Sequence, residues 1–294
     1  MMRVIVATDG SPDARDAVEW ARRLPLPDDT SFLVISVVPP PVLPNLPDWE
    51  TETRQMRVHA AHEAIDGARA LLGAAADGRL AEGDPREAII TAAGEWAADL
   101  IVLGARGLSA VKEFLLGSVS LGVTRHAPCP VLVCKGAPRA LRTVTLAHDG
   151  SAGAHEALEF VAGLPLPAST RLRVLGVAEP MRYPASAPAI LSGRLRGAIA
   201  EVEQERRVAL ERVLAPEVAA VRARVASAEL SVTVGLPAVE ILRYVEVTDT
   251  DLLVVGARGL GTMQRVLLGS VSESVLRHAG CPVLVVRGRV ERID

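Results

Sequence analysis

Aromatic side chains are scarce in this sequence. Three Trp, two Tyr and three Phe in 294 residues are too few for rows of base-stacking platforms. Excess positive charge is missing too. Lys and Arg number 32 against 35 Asp and Glu, a formal net charge of −3, whereas electrostatic nucleic-acid binders are normally basic. No uninterrupted apolar run approaches the roughly 18–20 residues of a membrane span. The opening MMRVIVATDG runs straight into an apolar strand pattern, without the charged, apolar and small-residue zones of a secretory leader. Three cysteines, Cys129, Cys134 and Cys281, cannot all pair and lack metal-ligand spacing. The expected setting is therefore a reducing cytoplasm, with no membrane and no nucleic acid as partner. Lysine is nearly absent (Lys112 and Lys135), which reads as genome composition. What remains, 49% hydrophobic and 23% charged residues, is ordinary for a globular protein and excludes wholesale disorder or a collagen. The length suits one large domain or two ordinary ones.

The chain repeats itself. VATDGS returns as LAHDGS, placing Asp149 where the first copy has Asp9. GDPREAII returns as GLPAVEIL, GARGLSAVKEFLLGSVS as GARGLGTMQRVLLGSVS, and RHAPCPVLVCKG as RHAGCPVLVVRG. The offset is 140 at Asp9 and Asp149, and 152 at Gly104 and Gly256, so one insertion of 12 sits in the middle of the second copy. Each copy has the size of a domain, which predicts two tandem domains, 1–138 and 139–294, joined at Gly136-Ala-Pro138.

Within a copy, strands alternate with helices. Arg3–Thr8 is a short apolar run suited to a buried parallel strand. Ser11 or Asp13 then caps a helix whose apolar face is Ala14, Ala17, Val18 and Ala21, repeated by Ala154, Ala157, Leu158 and Val161. A strand Phe32–Val38, a proline-rich loop 39–47, a long helix within 51–75, a weak strand near 78–82 and a helix opened by Pro85 are expected next. Strand Leu100–Leu103, a Gly-rich loop, a helix from Ser118 and strand Val131–Cys134 complete the unit. Such alternation implies right-handed parallel crossovers, an α/β fold of two Rossmann-like doubly wound domains. In the second copy the long helix is expected to break at Pro216, and its preceding loop, Glu179–Gly193, is long enough to cover or block a pocket.

Ligands of open doubly wound sheets sit outside the carboxyl ends of the strands, where strand order reverses. Two features fall there. Asp9-Gly10-Ser11 ends strand one, and Gly104-Ala-Arg-Gly107 ends strand four, followed after nine residues by Gly117-Ser118. The backbone of Gly117-Ser118-Val119-Ser120, opening a helix, is suited to an anion such as phosphate. Ser118 and Ser120 are expected to add hydroxyl donors and Arg106 a charge-assisted contact. Asp9, an acceptor only, suits a ribose hydroxyl or a phosphate-bound metal ion. Each feature alone is an ordinary turn or helix cap. Their convergence at one sheet end, twice over and with the nine-residue spacing kept between Gly107 and Gly117 and between Gly259 and Gly269, is what carries weight.

On these residues both copies resemble the universal stress protein family, including its nucleotide-binding branch. That branch's Gly-x2-Gly-x9-Gly-Ser/Thr signature stands here as Gly104, Gly107, Gly117-Ser118 and as Gly256, Gly259, Gly269-Ser270, with the early Asp as Asp9 and Asp149. The resemblance implies a five-stranded parallel α/β domain in each copy. It implies ATP, often with a divalent ion such as Mg2+. The adenine would lie by the ends of the first two strands, at Ala7 and Val37 or at Ala147 and Val177. The triphosphate would meet Arg106, Gly117, Ser118, Val119 and Ser120, or Arg258, Gly269, Ser270, Val271 and Ser272. The copies differ in places: His148, Gly153 and His155 replace Thr8, Asp13 and Arg15.

Other residues read more plainly. A Gly-x4-Gly-Lys-Ser/Thr motif is missing, which argues against a Walker-type NTPase. His126 and His278 suit helix ends, His59 and His62 a solvated face, and EVEQERR an exposed helical face. The expected function is a nucleotide-dependent stress switch or sensor. The alternatives are slow ATP hydrolysis or nucleotidyl transfer, for which no nucleophile–base pair is evident, and an interaction scaffold without nucleotide. Each copy ends in a short apolar strand, Val131–Cys134 or Val283–Val286, and an unpaired apolar edge invites pairing. The two halves, or two chains, are expected to associate through it.

Overall fold

The structure, a computed structural model, describes residues 1–40, 47–108, 116–181, 193–260 and 268–288. The first half runs β1 (Arg3–Ala7), α1 (Pro12–Arg23), β2 (Ser31–Val38), α2 (Pro47–Leu72), β3 (Ala76–Glu82), α3 (Pro85–Glu95), β4 (Leu100–Gly104), α4 (Ser118–His126) and β5 (Val131–Cys134). The second half repeats the order as β6 (Thr143–Ala147), α5 (Ala152–Ala162), β7 (Arg171–Ala178), α6 (Gly193–Val221), β8 (Glu229–Val234), α7 (Pro237–Val247), β9 (Leu252–Gly256), α8 (Ser270–His278) and β10 (Val283–Val286).

Local chemistry sets these elements. Continuous apolar runs make β1 and β4 strands that are buried on both faces. Ser11 caps α1, its hydroxyl accepting from Ala14 N at 3.2 Å, while Pro12 supplies the preset first turn and Arg22 and Arg23 complement the C-terminal dipole. Asp84 caps α3 in the same way, accepting from Arg86 N at 2.8 Å; the Arg86 guanidinium beside it holds its carboxyl down at about 2.

The strands form one ten-stranded sheet in the order β3-β2-β1-β4-β5-β10-β9-β6-β7-β8. Every pairing is parallel except β5 with β10, which is antiparallel with Leu132 opposite Leu284. The expectation of a five-stranded parallel sheet thus holds within each half, but the two are fused into one mixed sheet. The reason is the apolar edge each half leaves at its last strand. Side chains alternate between two cores, one on each face. Val4, Val6, Leu132 and Leu284 belong to one, and Ile5, Val133, Val283 and Val285 to the other. Both cores continue across the junction.

Side chains lock the junction reciprocally. Lys135, just past β5, donates to Leu276 O, Arg277 O and Ala279 O at the end of α8. Arg287, just past β10, donates to Thr124 O and Arg125 O at the end of α4. Each half thus caps the other's last helix, satisfying carbonyls that a helix end leaves orphaned. Arg125 and Glu273 add an ion pair at 2.7 Å between α4 and α8. Burial pushes the Lys135 ammonium down to about 8. Trp20 ties the linker to α1 through an Nε1–H bond to Gly136 O at 3.1 Å.

The expected break at Pro216 does not occur: α6 runs through it as a 29-residue helix. Interior proline costs about 3 kcal/mol, but Leu214, Val218 and Val221 around it are fully buried against the sheet, and that packing outweighs the lost helix bond. The added residues of the second copy are shared between the connections flanking α6 and the helix itself, since α2 has 26 residues. Of the loop expected to cover the second pocket, Glu179–Gly193, residues 182–192 lie outside the described residues.

Candidate functional site

Strand order reverses between β1 and β4 in the first half and between β6 and β9 in the second. At the carboxyl end of β1, Gly10 takes a left-handed φ of +75° and turns the chain into α1. The Asp9 carboxylate spans two loops there. Its Oδ1 accepts from Ser11 N at 3.0 Å and its Oδ2 from Leu108 N at 2.8 Å, tying the β1–α1 turn to the loop after β4. Asp149 makes the same pair of bonds to Ser151 N and Leu260 N, both at 3.0 Å. Both oxygens therefore already serve the loops, and a ligand would meet their remaining lone pairs.

The glycines are explained first by protein. A Cβ on Gly104 would lie 2.7 Å from the backbone of Asp13, where α1 crosses β4, and one on Gly107 would lie 2.5 Å from Asp9 Oδ2. Gly256 and Gly259 meet Gly153 and Asp149 in the same way. These four let the loop close onto the helix and the carboxylate.

Gly117 and Gly269 differ. Each is the N-cap of its helix, in extended backbone, with no side-chain cap bond. The N–H of Gly117 goes to Ala105 O and that of Gly269 to Ala257 O, each at 2.8 Å. The next three N–H groups, of Ser118, Val119 and Ser120 or of Ser270, Val271 and Ser272, are the orphans of a helix start, and among the described residues no side chain caps them. Ser118 and Ser270 are exposed beside them. Ser120 is not: buried, it gives its hydroxyl proton to Gly104 O at 2.7 Å, as Ser272 does to Gly256 O at 2.7 Å. These inner serines lock the loop to the helix, and only their N–H groups remain for an anion.

The remaining positions separate the halves. Ala7 is buried and Val37, Ala147 and Val177 are half-buried against the core near the ends of the first two strands of each half. Arg106 is ion-paired with Asp13 of α1, Nε to Oδ2 at 3.0 Å. Arg258 has Gly153 in place of that acid. Thr8 accepts from Gly10 N at 3.2 Å, and the buried His148 takes over that role, its Nδ1 accepting from Gly150 N at 3.1 Å. Its Nε2 meets Glu217 of α6 at 3.0 Å, and His155 Nδ1 meets the same carboxylate oxygen at 2.9 Å. Sequence reading missed Glu217, because its partner lies 69 residues away; the signal was the exchange of Thr8 for His148.

Burial pushes His148 below its ordinary 6.5, against the pull of Glu217 and Asp149. The unfolded chain therefore takes up a proton near pH 6.5 that the folded chain refuses, and stability falls as pH drops below that value. In His148→Thr, which restores the residue of the first copy, urea midpoints measured from pH 7.5 to 5.5 should fall less than in wild type. Parallel curves would remove His148 as the titrating group.

A doubly wound α/β protein with two copies of one turn at its switch points is the class that this fold and site define. The sequence model of the Universal stress protein family matches residues 1–135 and again 140–287, and the chain belongs to that family. Universal stress protein Rv1996 of Mycobacterium tuberculosis is 29% identical over 317 aligned positions, covering 97% of this chain and 94% of its own. A putative universal stress protein of Staphylococcus aureus, strain USA300, is 31% identical over 137 positions, covering 45% of this chain and 82% of its own. Among solved structures, a universal stress protein from Archaeoglobus fulgidus superposes with a TM-score of 0.67 at 24% identity, covering 99% of this chain and 97% of that one, which shows the fold. Among the described residues no helix is long and apolar enough to cross a membrane, and no three His, Cys, Asp or Glu side chains group as metal ligands.

Proposed function

We propose that each half, with the boundary at 138/139, binds one ATP and that occupancy makes the protein a nucleotide-dependent switch or sensor in a cytoplasmic stress response. The observation that carries this reading is the pair of uncapped helix starts, at Gly117 and Gly269, each beside the crevice of a parallel sheet. Three backbone donors and the positive end of a helix dipole converge there on a point where an anion would sit. The triphosphate would take those donors together with Ser118 or Ser270 and the nearby Arg106 or Arg258. The ribose would approach Asp9 or Asp149, and the adenine the floor at Ala7 and Val37 or at Ala147 and Val177. A divalent ion travelling with the nucleotide would draw most of its ligands from phosphate oxygens and water, with the free lone pairs of Asp9 or Asp149 beside it. A switch further requires different affinities in two states.

Equilibrium dialysis of the full chain against labelled ATP tests the binding. Two ATP per chain is the expected result. No uptake at millimolar ATP by folded protein would overturn the reading. One equivalent would restrict it to one half.

A further inference from the structure

The two cradles share their backbone but not their charges. In the first half the Arg106 guanidinium is turned onto α1, Nε to Asp13 Oδ2 at 3.0 Å and Nη2 toward Oδ1 at 3.5 Å. Asp16, one turn further along α1, has its counterpart in Glu156 of the second half, so the acid that distinguishes the first half is Asp13. In the second half Gly153 is the second residue of α5, whose first turn has no acid. A Cβ at Gly153 would stand 2.7 Å from Arg258 O. The glycine thus lets the loop carrying Arg258 close onto the helix and removes the acid that would neutralise it. Among the described residues no carboxylate pairs with the exposed Arg258, whereas its counterpart Arg106 is paired. Arg258 lies near the half-buried Arg287, whose guanidinium is pushed down by burial and then by Arg258.

Two acids of the second half stand nearby and are accounted for. Glu273, in the first turn of α8, is held by Arg125 and Arg277 at 2.7 and 2.8 Å. Glu156 lies against Gly288 and makes no ion pair with Arg258.

We infer that the two halves sort nucleotides by phosphate charge: the cradle at Gly269 prefers nucleoside di- and triphosphates, and the cradle at Gly117 binds mono- and triphosphates with similar affinity. This rests on the nucleotide reading above. An unpaired guanidinium offers a polyphosphate a charge-assisted contact. Arg106 must first leave Asp13, whose freed carboxylate then faces the same phosphates.

The probes are ATP and AMP, titrated calorimetrically into the full chain with one cradle blocked. Gly117→Val isolates the second cradle, which should bind ATP at least about tenfold tighter than AMP, the worth of one charge-assisted contact. Gly269→Val isolates the first, where the ratio should lie near one. Adding Asp13→Asn to Gly269→Val frees Arg106 and should raise the ratio toward about tenfold, while Arg258→Gln in Gly117→Val should bring it down toward one. Should a glycine variant fail to fold, the same two charge variants serve in the otherwise wild-type chain. There Asp13→Asn must tighten the weaker ATP step and Arg258→Gln must loosen the tighter one. Equal ratios in the two cradles, or ratios that ignore both charge variants, would overturn the sorting and leave the nucleotide reading standing. Folded protein that binds neither probe would overturn both.

Discussion

Gly269→Val should empty the second nucleotide site and leave the fold intact. Gly269 has an extended backbone that any residue adopts, and a Cβ there makes ordinary contact with Ala257 O at 3.5 Å. The added methyl groups stand where phosphate oxygens would meet the N–H groups of Ser270, Val271 and Ser272. Charge-assisted contacts are worth roughly 1.5–3 kcal/mol each, so losing two or more should weaken ATP binding by a factor of about 100 or more. Gly117→Val should do the same in the first half at some cost in stability, because its Cβ would come within 3.1 Å of Ala105 O. Dialysis should count one ATP in each single variant and none in the double variant, with circular dichroism confirming the fold. Gly104→Ala behaves differently. Its Cβ would strike the backbone of Asp13 at 2.7 Å, and such overpacking costs about 1–3 kcal/mol. That variant should lose urea stability with no nucleotide present. Undiminished binding in a folded Gly117→Val, Gly269→Val double variant would remove the phosphates from these turns.

That contrast shows how far the sequence was legible. The repeat, the strand–helix alternation and the location of the loops at one sheet end follow from periodicity and spacing, which are properties of local chain. The Gly-x2-Gly-x9-Gly-Ser pattern reads in sequence as a single turn, yet its members do different things. Gly104 and Gly107 are small because α1 and the Asp9 carboxylate press against them, and only Gly117 and Gly269 stand at N-cap positions without a side-chain cap bond. A motif does not say which atom lies opposite each residue. The same limit applies to Ser120, whose hydroxyl faces Gly104 O rather than the crevice, and to Arg106, whose counterion Asp13 lies 93 residues away. Pro216 misled for another reason: helix-breaking is a local penalty, and the buried side chains around it belong to tertiary packing. The fused sheet was legible only as two open edges, since the sequence shows that an edge needs a partner and not whether that partner is in the same chain.

Putting a charge at that fusion should separate the halves. Leu284 of β10 and Leu132 of β5 are opposite partners, 3% and 1% exposed, in a core that continues through both halves. Neither Lys135 nor Arg287 is there to pair with a carboxylate at this point: both follow Val133 and Val285 on the opposite face of the sheet, where helix carbonyls engage them. Leu284→Asp should therefore cost more than about 4 kcal/mol, the range reached when an unpaired charge is buried. Leu284→Ala should cost about 2–5 kcal/mol through the cavity alone. The reciprocal caps of Lys135 and Arg287 depend on the same junction and should fail with it. Wild type should unfold in urea as one transition, and Leu284→Asp as two, with earlier tryptic cleavage in the linker at Arg139 and Arg142. It should also self-associate as protein concentration rises, because two apolar strand edges are then open. A Leu132→Cys, Leu284→Cys variant checks the register directly. Opposed residues of an antiparallel pair have Cβ atoms about 4.5–5.5 Å apart, close enough for mild oxidation to join them within one chain. The product should be monomer-sized, reversed by reductant, and formed at a rate independent of protein concentration. A product the size of two chains, formed faster at higher concentration, would place the β5–β10 pairing between molecules instead.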